Sequence, residues 1–90
     1  MNEYTFYNPA TVKHWGEHTR KAKDIDHLRK FLIDTHTKGK DSSWVVWMGR
    51  KDLGTLVFRG DTVLWIPYNA YADKPARTVD PKTGKLSRRL

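Results

Sequence analysis

The sequence predicts an α+β fold in which one helix packs on an antiparallel sheet. Three observations support this prediction. Apolar residues recur at helical spacing in one segment, residues 24–37. Three segments rich in β-branched and aromatic residues follow it, and turn residues separate them. The 90 residues, of which 38% are hydrophobic, are enough for one domain with a modest core.

The first expected strand is "EYTFY", residues 3–7, where aromatic side chains alternate with others until Asn8-Pro9 ends the segment. The pattern between residues 10 and 23 is less clear. The segment "TVKHW", residues 11–15, is compatible with a second strand, and Gly16 disfavours a helix there. We therefore expect one or two N-terminal strands before the helix.

The helix is expected over residues 24–37, with Asp24 as its N-cap and Gly39 ending it. Its apolar residues share one face at spacings of three and four: Ile25, Leu28, Phe31 and Leu32. On the other face, Lys30 lies four residues from both Asp26 and Asp34. Pairs at this spacing form weak exposed ion pairs, so we interpret these charges as a solvated surface.

A three-stranded meander is expected after the helix, with strands at residues 43–49, 54–60 and 61–68. Residues 50–52 make the first loop, and Gly60-Asp61 makes a tight two-residue turn because glycine accepts positive φ. These strands are apolar on both faces, whereas a sheet covered on one face alternates apolar with polar residues. The second face is thus either covered by other parts of the chain or exposes tryptophan, and Trp47 and Trp65 fit either alternative.

Basic residues lie in two segments that flank a nearly neutral block. Residues 13–40 contain eight Lys/Arg and four Asp/Glu, and residues 74–90 contain six and one, within a net charge of +7. The last segment has little apolar periodicity, so we predict a domain at residues 1–72 and a flexible basic tail at residues 73–90. A basic balance of this kind favours polyanionic partners, either nucleic acid or an acidic protein surface.

The segment "HWGEH" matches the H-x-x-E-H spacing of one class of zinc peptidase. That chemistry requires His14, Glu17 and His18 on one helix face, with a further carboxylate from elsewhere in the chain. Gly16 lies inside the motif, and the neighbourhood is not helical by pattern. We expect no metal site here, and no cofactor elsewhere.

The chain contains no cysteine, no stretch that resembles a secretion signal and no apolar run long enough to span a bilayer. We therefore expect a cytoplasmic protein with no membrane partner. The sequence does not indicate an oligomeric state.

The residue chemistry favours a small basic binding module that is not an enzyme. The leading hypothesis is nucleic-acid binding through a Lys/Arg surface and aromatic residues. The candidate residues are Arg20, Lys21, Lys23, Trp47, Arg50, Lys51, Trp65, Lys82, Lys85, Arg88 and Arg89. The alternative is a protein-interaction role, in the style of phage or mobile-element accessory proteins such as anti-CRISPR-like inhibitors of a defence nuclease. An enzyme with an unrecognised site is the third hypothesis.

Overall fold

The computed structural model describes residues 1–10, 17–36, 39–68 and 76–87. Within these residues the chain is an α+β fold with one helix and an antiparallel sheet of six strands, as the sequence predicts for the fold class. Helix α1 spans Ile25–Thr35. The strands are β1 (Asn2–Tyr7), β2 (His18–Ala22), β3 (Ser42–Met48), β4 (Lys51–Arg59), β5 (Thr62–Pro67) and β6 (Arg77–Thr78).

The sheet has the strand order β2-β1-β3-β4-β5-β6, and all neighbouring strands are antiparallel. Strand β1 lies between β2 and β3, so the helix that joins β2 to β3 crosses one face of the sheet. Gly60 and Asp61 form the two-residue turn between β4 and β5, and Gly60 has a φ of +57°. Asp41 holds this turn by accepting a hydrogen bond from the Gly60 N–H (3.0 Å).

Helix α1 begins where the sequence places it, because Asp24 caps it. The Asp24 carboxylate accepts a hydrogen bond from the His27 N–H (3.0 Å), which satisfies one of the free donors of the first turn. Lys30 pairs with Asp34 (2.5 Å) on the outer face. The apolar face of the helix turns inward, with Leu28 and Leu32 buried.

The hydrophobic core lies between the helix and one face of the sheet, which we call the covered face. The buried residues of this core are Tyr4, Phe6, Ala22, Leu28, Leu32, Val46, Leu56, Phe58, Val63, Trp65 and Val79. Gly54 is buried among them with a φ of +147°, and the Trp65 ring lies directly over it. The strand register skips Leu53 beside this glycine, because Val46 pairs with Gly54 and Trp47 pairs with Asp52. A bulge and a glycine together let the tryptophan pack close to the backbone.

A second N-terminal strand lies at His18–Ala22, later in the chain than the segment "TVKHW", whose pattern is compatible with a strand. Residues 11–15, which include His14, lie outside the described residues. His18 is in an extended strand, and its ring stacks on Phe6 with centroids 5.6 Å apart. The H-x-x-E-H spacing therefore does not lie on a single helix, which its zinc chemistry requires.

The C-terminal segment differs from the expected flexible tail where the structure describes it. Strand β6 pairs with β5, Val79 forms a bridge with Leu86, and the Val79 side chain is buried. Gly84 touches the backbone of helix α1 at Asp26, which a Cβ would prevent. Residues 76–87 thus pack on the domain, because two apolar residues seven positions apart flank a tight turn. The boundary at residue 72 and residues 88–90 lie outside the described residues.

Candidate functional site

The strand registers bring several of the predicted binding residues to one end of the sheet. Strands β2 and β3 flank β1. Ala22 pairs with Asn2, and Trp47 pairs with Thr5, so the C-terminal ends of β2 and β3 both lie towards the N-terminal end of β1. The start of the helix and the β3–β4 turn therefore lie at a common end, with the backbones of β2 and β3 about 10 Å apart across β1. We call this end the basic end and define it by four residues: Lys21, Lys23, Arg50 and Lys51.

The cations of the basic end are exposed and make no ion pair in the described part of the chain. The ion pairs that do occur among the described residues lie at the helix and its N-cap. Three carboxylates are close to these four cations, since Glu3 pairs with Lys21 across the strands, Asp24 follows Lys23 and Asp52 follows Lys51. The basic end keeps an excess of positive charge that faces solvent.

Trp47 lies on the face of the sheet opposite the helix, which we call the open face. It shares that face with Thr5, its partner in β1. Trp47 is half-buried and lines a cleft of about 490 Å³ with Arg50, Lys51, Asp52 and Tyr68. Tyr68 is 59% exposed. An indole and a phenol thus border the same cleft as two cations that have no ion-pair partner among the described residues.

The centre of the open face is aliphatic. Val57 pairs with Leu64 across β4 and β5, and Val45 shares this face through its pairing with Thr55. Ile66 also pairs with Thr55 and is 37% exposed. We call Val45, Val57, Leu64 and Ile66 the aliphatic strip. It is partly accessible, in contrast to the buried residues of the covered face.

Other predicted binding residues are not part of the basic end. Trp65 is 5% exposed, lies in the core and has the Arg29 guanidinium 5.0 Å from its ring. Arg20 points to the helix side, where its guanidinium lies 3.9 Å from the centre of the Phe31 ring. Lys82 and Lys85 are on the turn that packs against the helix. Arg88 and Arg89 lie outside the described residues.

The sequence did not single out Arg29. Arg29 is 3% exposed, donates from Nε to the Gly84 carbonyl (2.7 Å) and pairs with Asp26. Burial lowers the pKa of Arg29, and the nearby Asp26 carboxylate opposes that shift. The turn composition of "VDPKTGKL" is a signal for a turn near Gly84, but it does not indicate that this turn lies over the helix.

A further cleft, of about 620 Å³, opens at the end of the sheet opposite the basic end. Part of its wall is aromatic, and Phe6 meets Phe31 and Trp44 there in edge-to-face contacts with centroids 6.2 and 6.0 Å apart. His36 lines it too and stacks on Phe58 at 3.8 Å. These contacts bury aromatic surface and join the helix to the sheet.

No protein-family model, curated protein or solved structure matches this chain. Within residues 1–10, 17–36, 39–68 and 76–87, no group of three or more His, Asp or Glu side chains is placed to hold a metal ion. No helix among the same residues is long and apolar enough to cross a membrane.

Proposed function

We propose that this chain is a non-catalytic module that binds single-stranded nucleic acid at the basic end and the neighbouring cleft. The observation that carries the proposal is the cleft between Trp47 and Tyr68, bordered by Arg50 and Lys51. Single-strand binding uses cations along the phosphate backbone and aromatic side chains that stack with bases. Both kinds of group meet at this cleft.

The cleft favours a single strand over a duplex. Bases in a duplex are already stacked and offer no free ring face, whereas an unpaired base can enter a cleft and contact an indole or a phenol. The volume of about 490 Å³ is sufficient for one base with its sugar. Arg50 and Lys51 at the rim are then close to the flanking phosphates, and Lys21 and Lys23 extend the same positive surface across β1.

The proposal is tested by titrating fluorescent single-stranded DNA and RNA with the protein at several salt concentrations. Each phosphate contact that is lost should lower the slope of log affinity against log salt by about 1, without changing sequence preference. We expect this for Arg50→Ala and for Lys51→Ala. Replacing Arg20, Lys21 and Lys23 together by alanine should also weaken binding in a salt-dependent way.

Arg59→Ala is the matched control for Arg50→Ala. Arg59 is also an exposed arginine without an ion pair in the described residues, but it ends β4 at the opposite end of the sheet, beside the Gly60-Asp61 turn. It should leave both the affinity and the salt slope unchanged. Equal losses for Arg50→Ala and Arg59→Ala would show attraction by net charge alone, and no binding at micromolar protein and low salt would remove the proposal.

The aliphatic strip supports a second candidate function, a protein-interaction module. Partly exposed Val, Leu and Ile side chains on neighbouring strands form the kind of apolar patch that protein partners cover. An accessory protein of the phage or mobile-element type, including an inhibitor of a defence nuclease, would use such a face. Binding through it depends only weakly on salt, so the same titrations against a partner protein separate the two candidates.

A further inference from the structure

A third cavity, open to solvent, lies on the helix side of the molecule, under the C-terminal turn. It has a volume of about 550 Å³, within the range of small-molecule sites. The start of helix α1, strands β4 and β5, and the segment 76–87 form its walls. The lining residues are Ile25, Asp26, Arg29, Leu53, Trp65, Arg77, Lys85 and Leu86. We call it the turn cavity.

The turn cavity contains more positive than negative charge. Arg29, Arg77 and Lys85 line it, and Asp26 is its one carboxylate among the described lining residues. Arg29 already has partners within the protein, since it pairs with Asp26 and donates a hydrogen bond to the Gly84 carbonyl. Two cations, Arg77 and Lys85, therefore remain without a carboxylate partner in the part of the chain that the structure describes.

Arg77, one of the lining residues, has a donor without an acceptor among the described residues. Its Nη2 donates to the Ser87 carbonyl, which holds the side chain in place. Its Nε is buried and has no acceptor among the described residues. A buried donor without an acceptor is destabilising, and an anionic oxygen that accepts from it removes that cost.

The remaining walls are apolar. Ile25, Leu53 and Leu86 are partly buried and pack against the core, and Trp65 completes this surface. An inorganic ion would leave these side chains uncovered. A ligand with an apolar body would bury them while its charged group meets Arg77 and Lys85.

We infer that the turn cavity binds a small organic anion, a compact apolar or aromatic body that carries one phosphate or carboxylate group. The anionic group contacts Arg77 and Lys85, and the body packs between Ile25, Leu53 and Leu86. This site is separate from the nucleic-acid proposal, because none of its lining residues borders the cleft of Trp47.

The test uses four small probes: phenyl phosphate, benzoate, inorganic phosphate and benzyl alcohol. Binding to the full chain is followed by two-dimensional ¹H–¹⁵N NMR, with the amides of Arg77, Lys85 and Leu86 and the Trp65 indole as reporters. At least one of the two aromatic anions should shift these signals with a dissociation constant roughly tenfold lower than either inorganic phosphate or benzyl alcohol, because only it satisfies both the cations and the apolar walls.

Lys85→Gln should weaken binding of that aromatic anion by roughly tenfold, because it removes one charge-assisted contact. Lys82→Gln is the matched control, since Lys82 is an exposed lysine on the same turn that does not line the cavity. It should change the dissociation constant less than about twofold. Arg77→Gln removes the other cation of the site and should also weaken binding of that aromatic anion. The NMR spectrum of this variant shows whether it is folded.

Three results would overturn the inference. The first is the absence of shifts at the reporter amides with every probe at millimolar concentration. The second is an equal loss for Lys82→Gln and Lys85→Gln, which would mean attraction by surface charge alone. The third is binding of inorganic phosphate as tight as that of the aromatic anions. None of these results bears on oligonucleotide binding at the basic end, so the two proposals fail separately.

Discussion

The two faces of this sheet have similar apolar residues but different surroundings. On the covered face, Val46, Leu56 and Phe58 pack under helix α1 and are almost fully buried. On the open face, their strand neighbours Val45 and Val57 remain half-buried, and Ile66 is 37% exposed. Among the described residues, the one helix of eleven residues covers only one face, so the same strands carry a core on one side and an accessible apolar surface on the other.

This difference separates stability from binding. Residues of the covered face and the helix should determine the free energy of unfolding, because their burial removes apolar surface from water. Residues of the open face and the basic end should affect partner binding more than stability. The predictions below test this separation, beginning with the largest expected effect.

Leu28→Ala should lower the free energy of unfolding by about 2–5 kcal/mol, the usual cost of truncating a fully buried leucine. Leu28 is 0% exposed and Leu32 is 4% exposed, so Leu32→Ala should lower the free energy of unfolding by a similar amount. Urea denaturation at constant pH measures both. Nearly unchanged stability for both variants would mean that the helix packs through another face.

Gly54→Ala should be the next most damaging change. A Cβ at this position would lie 2.6 Å from the Ile66 carbonyl oxygen and 2.7 Å from the Trp65 ring, and the φ of +147° is unfavourable for alanine. We expect a loss of about 1–3 kcal/mol or more from overpacking and backbone strain. Gly49→Ala is the control, because Gly49 also has positive φ (63°) but nothing lies within 4 Å of its Cβ. Equal losses for the two variants would exclude the contact with Trp65 as the cause.

Asp24→Ala should destabilise the protein in a pH-dependent manner. The hydrogen bonds from His27 lower the pKa of Asp24 below its ordinary value of 3.8. A carboxylate with a lowered folded pKa stabilises the fold above its unfolded pKa and loses this contribution as the pH falls through the folded pKa. The difference in unfolding free energy between wild type and Asp24→Ala should be constant near neutral pH and shrink below about pH 4. A difference independent of pH would contradict the charged cap.

Ile66→Thr should have the smallest effect on stability, within roughly 0.5–1 kcal/mol, because the side chain is on the open face and 37% exposed. The same urea titrations measure it beside Leu28→Ala. A loss comparable to that of Leu28→Ala would show that other parts of the chain cover the open face in solution. The comparison between the two faces would then no longer hold.

The sequence was sufficient to predict the elements with a strong local signal. The cap at Asp24 and the helical spacing of Leu28 and Leu32 define α1, and the helix lies where this pattern places it. The sequence could not decide between core and surface for Trp47 and Trp65. That choice depends on strand register, because a shift of one residue exchanges the two faces of a strand.

The burial of Arg29 was not predictable from the helix alone. Its cover comes from Gly84, fifty-five residues further along the chain. A segment with many charges and few apolar residues is predicted to be flexible from its composition. Here Val79 and Leu86 form a bridge and pack on the core, which the composition does not indicate. Long-range packing of this kind leaves little trace in local sequence.

The most direct test of the account uses the indole N–H signals of the tryptophans in ¹H–¹⁵N NMR spectra. A single-stranded oligonucleotide is added at low salt, and each indole signal is assigned by substitution of its tryptophan. Trp47, on the open face beside Arg50 and Lys51, should shift with the oligonucleotide, whereas the buried Trp65 should not. A shift of Trp65 without Trp47, or no indole shift at any oligonucleotide concentration, would contradict the assignment of binding to the open face.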